Sequence, residues 1–320
     1  MVVALAVVGG ACGEEATDDP NKLNVVTTVS PITSIVSNVA GDLVEVRGLV
    51  PEGTNSHTFE PPPSAARTLA RADVIFVNGL KLEDPTRELA AGNLKAGAEV
   101  VALGDRTIAP DRYLYDFSFP REGGKPNPHL WTNPPFAKDY ARIVRDTLSA
   151  RDPVHAGQYA ANYERFAAKV DELDAAMKAA SATVPRKELL TYHDAYAYFA
   201  EHYGWKVIGA IQVSSFDDPT PREVASLIQQ VREVGVPAIF GSEVFPSPVL
   251  ARIGSEARVR YVDKLRDDDL PGKPGDPEHS WLGLMRFDFV TMVESLGGDA
   301  SALKAIKVAD VASDKAHYPQ

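Results

Sequence analysis

The chain has 320 residues, 44% hydrophobic and 24% charged, a size and mix that fit a soluble globular protein of two domains. Its net charge of −11 excludes a nucleic-acid surface, which needs clustered Lys and Arg. The single cysteine, Cys12, excludes internal disulfides and cysteine-ligated zinc.

In chain order, residues 1–8 are apolar, Gly9-Gly10-Ala11 is small, and an acidic, aperiodic stretch follows Cys12. The apolar run is far short of the ~20 residues a membrane helix needs. The pattern resembles the end of a bacterial lipoprotein signal, cleaved before a cysteine that is then lipidated. That resemblance implies a lipid anchor at Cys12, an extracytoplasmic, membrane-attached location, and a signal remnant and tether over residues 1–21.

From residue 22 to 152 short β-branched runs alternate with helical periods. Strands are expected over 24–29, 44–49, 74–77 and 99–103, and helices over 31–40, 64–72 and 85–96. Residues 51–63 form a Pro/Gly-rich loop, and 105–125 lack a period and read as a long surface loop. Asn133-Pro134 reads as cap and first residue of a helix through 149. Between 154 and 183, Tyr159, Tyr163, Phe166, Val170, Leu173 and Met177 recur at three- and four-residue steps, so 153–185 is one stiff linking helix.

The second half, 186–320, repeats the grammar. Strands are expected over 188–192, 207–211, 238–240 and 258–262, and helices over 195–203, 221–234, 248–256 and 281–296. This is an α/β pattern: two Rossmann-like lobes with mainly parallel sheets, joined by one long rigid helix.

Four residues stand out as ligands for a metal in the cleft between the lobes: His57, His129, His193 and Asp263. His129 is held between the prolines of Asn127-Pro128-His129-Leu130-Trp131-Thr132-Asn133-Pro134, and proline stiffens the backbone on its N-terminal side. His193 and Asp263 each follow an expected strand, and ligands bind at the carboxyl edge of open α/β sheets. Three imidazoles and a carboxylate complete a tetrahedral shell for Zn²⁺, with no vacant position for an activated water. Asp263 could instead cap a helix or pair with Lys264 or Arg266, and His279 is the rival fourth ligand. His155, His202 and His317 read as ordinary surface or hydrogen-bonded residues.

The segments Ser56-His57-Thr58-Phe59-Glu60-Pro61, Asn127-Pro128-His129-Leu130-Trp131 and Thr191-Tyr192-His193-Asp194-Ala195-Tyr196 resemble the three histidine motifs of the zinc/manganese solute-binding proteins of bacterial ABC transporters. Phe240-Gly241-Ser242-Glu243-Val244-Phe245 and the stretch from Tyr261-Val262-Asp263 to Trp281-Leu282-Gly283 match in the same order. The resemblance covers the chain beyond the tether. It implies a metal site of His57, His129, His193 and Asp263, a rigid interlobe helix, a permease partner and a monomer. Glu60 and Glu243 are candidates to orient the imidazoles from behind.

Two departures stand out. Residues 105–125 contain no histidine, where zinc members often carry a His-rich loop, and Asn127 replaces the usual acidic residue before Pro-His. His193 at the third position favours Zn²⁺ over Mn²⁺, because manganese prefers more oxygen donors. A zinc-dependent hydrolase is the alternative from another class, but the chain has neither His-Glu-x-x-His nor Gly-x-Ser-x-Gly. A surface adhesin or metal sensor on the same fold is the third reading.

Overall fold

The computed structural model describes residues 19–212, 219–242 and 247–320. Cys12 and Glu243 lie outside the described residues. In the first half, β1 (Asn24–Thr27), β2 (Glu45–Gly48), β3 (Val74–Val77) and β4 (Glu99–Ala102) form a parallel sheet of order β2-β1-β3-β4. Connecting them are α1 (Ser30–Ala40), α2 (Ala65–Arg71) and α3 (Asp84–Ala91), with the short α4 (Leu103–Thr107) after β4. The central strand β3, Val-Ile-Phe-Val, is buried on both faces, as expected of a parallel strand covered by helices above and below.

The helix α5 (Pro134–Arg151) opens with Pro134, but Asn133 does not cap it. Its amide instead donates to the Tyr198 carbonyl (3.1 Å), tying the helix start to the second half. The 105–125 stretch is no simple surface loop: Ser118 and Phe119 are buried, and it contains 3₁₀ turns at Pro110–Arg112 and Arg121–Gly123.

The linking helix α6 (Ala156–Thr183) runs 28 residues, about 42 Å at 1.5 Å per residue. Its Tyr159, Phe166, Val170, Leu173 and Met177 are buried, so the periodic stripe read from the sequence faces the core. Beyond it come β5 (Glu188–Thr191), α7 (Ala197–Tyr203), β6 (Lys206–Ala210), α8 (Pro221–Val234), β7 (Ala238–Ser242), α9 (Pro248–Ala257), β8 (Arg260–Leu265) and α10 (Trp281–Ser295), then the short α11 (Ser301–Lys304). β5 pairs with β6 and β7 with β8, both parallel, and β5 packs beside β7. Helix α8 has both reciprocal bonds of a Thr220/Glu223 capping box and ends at Gly235 with φ +68°.

One apolar core runs through both halves, from Val25, Ile32 and Phe76 through Phe166 and Met177 to Trp281 and Phe289. Polar bonds sew the same seam. Trp281 Nε1 donates to the Trp131 carbonyl (3.0 Å), its main-chain N–H to Ser34 Oγ (2.8 Å), and Thr132 Oγ1 to the Ala195 carbonyl (2.9 Å). The C-terminal tail returns to the first sheet, where His317 bridges Arg47 at the edge of β2. A seam that is both apolar and hydrogen-bonded resists hinge opening, because opening would expose the core and orphan its donors. Small-angle scattering should therefore give nearly the same radius of gyration with a chelator and with Zn²⁺. A clear shrinkage on adding metal would show that the lobes swing.

Candidate metal centre

His57 sits in the 3₁₀ turn Ser56–Thr58, whose start is fixed by Asn55 accepting the His57 N–H (3.0 Å). His129 follows Pro128 and precedes the turn Leu130–Thr132, and its side chain is fully buried. His193 lies two residues past β5 and is also buried. Their rings converge, with centroids 5.0–5.2 Å apart pairwise. His129 Nε2 is 3.2 Å from Nε2 of both His57 and His193.

The carboxylates come from Asp267 and Asp268. Asp267 Oδ2 lies 2.8 Å from His193 Nε2, and ligand atoms of His129, Asp267 and Asp268 lie within 4.8 Å of one another. Asp263 is not part of this group. β8 extends to Leu265, three residues beyond the expected end, so Asp263 is exposed in mid-strand and the carboxyl end delivers Asp267 instead. Among the described residues β8 is paired on one side only, by β7, and edge strands commonly carry charged residues such as Asp263 and Lys264. Glu60 is exposed on the loop beyond His57 and stands apart from the cluster. His279 is buried against Tyr318, also outside it. His155 and His202 pair with Asp152 and Asp174.

Asn127, at the position of the family's usual acid, orients His129. Its amide nitrogen donates to Asp116 Oδ2 (2.7 Å) and the Asp194 carbonyl (2.6 Å), so its oxygen faces the histidine. That oxygen accepts the His129 N–H and lies 2.9 Å from Nδ1. Nδ1 must therefore carry the ring proton, and Nε2 presents its lone pair to the centre. The acidic turn is fixed from three sides. Trp131 Nε1 donates to the Asp267 carbonyl (2.8 Å), the Tyr196 hydroxyl sits 2.9 Å from the Arg266 carbonyl, and the Arg266 N–H donates to Asp288 Oδ1 (3.1 Å). Ser56, beside His57, donates to Asp268 across the seam.

Burial holds the His57 and His129 imidazoles well below the ordinary histidine value, reinforced by neighbouring positive charge. For His193 burial acts in the same direction, but the Asp267 carboxylate outweighs it, with Asp268 and Asp194 assisting, and the net shift is upward. Burial and the Asp267 charge push Asp268 up to about 8. Two imidazoles thus stand neutral near pH 7, while His193 and Asp268 are biased toward protons that a cation would displace.

The arrangement fits a small divalent cation. Nitrogens 3.2 Å apart span the edge of a tetrahedron with a centre-to-corner length of about 2.0 Å, close to a zinc–imidazole bond. Imidazole and carboxylate donors together suit transition metals, and the second carboxylate adds an oxygen beyond the expected set.

Comparison with known proteins agrees with this geometry. The family model for zinc-uptake complex component A, periplasmic (ZnuA), matches residues 25–295. The manganese-binding lipoprotein MntA of Halalkalibacterium halodurans is 26% identical over 301 residues, covering 92% of this chain and 97% of that one. The manganese ABC transporter substrate-binding lipoprotein PsaA of Streptococcus pneumoniae is 27% identical over 293 residues, covering 89% and 92%. Among solved structures, the periplasmic zinc-binding protein TroA of Treponema pallidum superposes with a TM-score of 0.77 at 26% identity, covering 86% of this chain and 99% of that chain.

Metal uptake should release protons, because the bound form needs His193 and Asp268 deprotonated, whereas in the free form Asp268 is pushed up to about 8 and the neighbouring acids favour a proton on His193. Affinity should rise from about pH 6 to pH 8 and then flatten. Calorimetry of Zn²⁺ binding in buffers of different ionisation enthalpy reads the release directly, and a heat independent of buffer at about pH 7 would contradict it.

Proposed function

This chain belongs to the ZnuA family of periplasmic metal-uptake components, and from that membership we propose that it captures a divalent transition-metal ion for import. The cation is held by His57, His129, His193 and Asp267, with Asp268 as an additional oxygen donor. The observation that carries this reading is the convergence of three imidazoles, with His129 Nε2 3.2 Å from Nε2 of both His57 and His193, against a buried carboxylate. Three imidazole nitrogens gathered around one point, two of them driven neutral by burial, form the donor set a transition-metal cation needs.

Zn²⁺ is the first cargo and Mn²⁺ the second. Three imidazoles select a borderline cation, while the Asp267/Asp268 pair supplies the oxygens that admit manganese. The site retains rather than reacts: its protein donors fill the shell, so a hydrolytic water has no assigned position. Delivery is to the permease of an ABC transporter, in keeping with the name of PsaA as an ABC transporter substrate-binding lipoprotein. The protein acts as an extracytoplasmic monomer tethered through lipid on Cys12. No helix among the described residues is long and apolar enough to cross a membrane.

Zinc titration against a competing chelator tests the assignment. His193→Ala should lose more than about 100-fold in affinity, beyond the about 10–100-fold typical of residues that only orient a ligand. Asp263→Ala should leave affinity unchanged; equal losses in the two variants would overturn the ligand set. Asp268→Asn should weaken Mn²⁺ more than Zn²⁺, measured by competition between the two ions.

A further inference from the structure

His279 is 2% exposed, and neither ring nitrogen has a well-aligned hydrogen bond among the described residues; the Pro271 carbonyl is its one polar main-chain neighbour, and the nearby acids act on it only through their charge. A buried imidazole held so loosely leaves a ligand position that an ion or a water can complete. Facing it is a second orphan. Glu52 Oε1 is buried, has no hydrogen-bond partner among the described residues, and lies 3.6 Å from His279 Nε2. That separation is too long for a hydrogen bond. It matches two donors sharing one cation, since bonds of about 2.1 Å meeting near the tetrahedral angle leave their ends about 3.5 Å apart.

The surroundings are negative and rich in oxygen. Asp276 and Asp314 act electrostatically on His279, and the Pro271 carbonyl lies beside its ring. Glu52 and Asp269 face one another closely enough to interact. The ring stands edge-on to Tyr318, with centroids 4.7 Å apart, which closes the apolar side and leaves the nitrogens toward the acids.

We propose that His279 and Glu52 form a second divalent-cation site, weaker than the three-imidazole centre and separate from it. Two protein side chains hold the ion, with the Pro271 carbonyl and water as the remaining oxygen donors. The location gives the site a consequence. Glu52 lies on the loop that leads to Ser56 and His57, and the adjacent Gly53 N–H donates to Asp269 Oδ2 (2.8 Å), in the same turn as Asp267 and Asp268. A cation between Glu52 and His279 would brace that loop against the start of α10, and so steady the side of the main centre that His57 closes.

Zn²⁺ titration of the full chain should show one tight equivalent and one weaker one. His279→Asn and Glu52→Gln should each abolish the weak equivalent and keep the tight one, whereas His129→Ala should lose the tight one and keep the weak. A single equivalent in the unaltered protein, or a weak equivalent surviving in both His279→Asn and Glu52→Gln, would overturn the second site. A measurement without substitutions guards against misfolding: with the main centre filled by one equivalent of Zn²⁺, added Mn²⁺ should selectively broaden the His279 and Tyr318 resonances. Uniform or absent broadening shows that water, not a cation, fills the gap. Loss of the tight equivalent alone would count against the proposed main centre without touching this one.

Discussion

The structure depends on keeping three imidazoles together in a space that is largely buried. Three rings packed with centroids about 5 Å apart would repel strongly if all were charged, and a buried charge without a partner is costly. The chain resolves this by distributing protons. His57 and His129 are driven neutral by burial, and any remaining proton is drawn to His193, where Asp267 balances it. The free protein is thus a proton-filled version of the metal-filled one, and exchange between them needs little movement of the surrounding scaffold.

That economy explains why the seam between the halves is so heavily bonded. Asn127 holds His129 with its oxygen and the main chain beside His193 with its nitrogen, so a ligand from each half shares one amide. A carboxylate in its place would accept from His129 equally well. It could not donate to Asp116 and the Asp194 carbonyl, and it would set a second charge beside Asp116. The departure from the family's usual residue is therefore compensated within this chain: an acid stands one step outward, at Asp116, and the amide relays between it and the ring.

Much of the framework was legible from period and punctuation. The Pro221–Val234 helix with its Gly235 stop, the Val74–Val77 strand and the linking helix follow from patterns that no tertiary contact overrides. The three histidines were legible because each sits in a motif of stiff or aromatic neighbours. The carboxylate was not. Local sequence places the end of β8 at a charge, Asp263, whereas pairing with β7 carries the strand on through Asp263 and Lys264 to Leu265. A strand's end is set by its partner, which a single sequence does not contain. The run Asp267-Asp268-Asp269 was the available signal, since three adjacent acids just beyond a strand, in part buried, need a reason to be there.

The same reasoning separates the two buried polar clusters of the protein. At the main centre, three donor residues have a bond behind them that fixes their place: Asn127 for His129, Ser56 for Asp268, Trp131 for the main chain of Asp267. Preorganisation of that kind raises affinity by removing the entropy of arranging ligands at the moment of binding. Around His279 the ring is held by packing on Tyr318 and Glu52 is steadied by Gln320 on its other oxygen, so both lean on the C-terminal tail, but no bond aims their facing ligand atoms. A cation arriving there must do its own arranging. The difference between a strong and a weak site in this chain thus lies less in which atoms face the ion than in how many hydrogen bonds stand behind them.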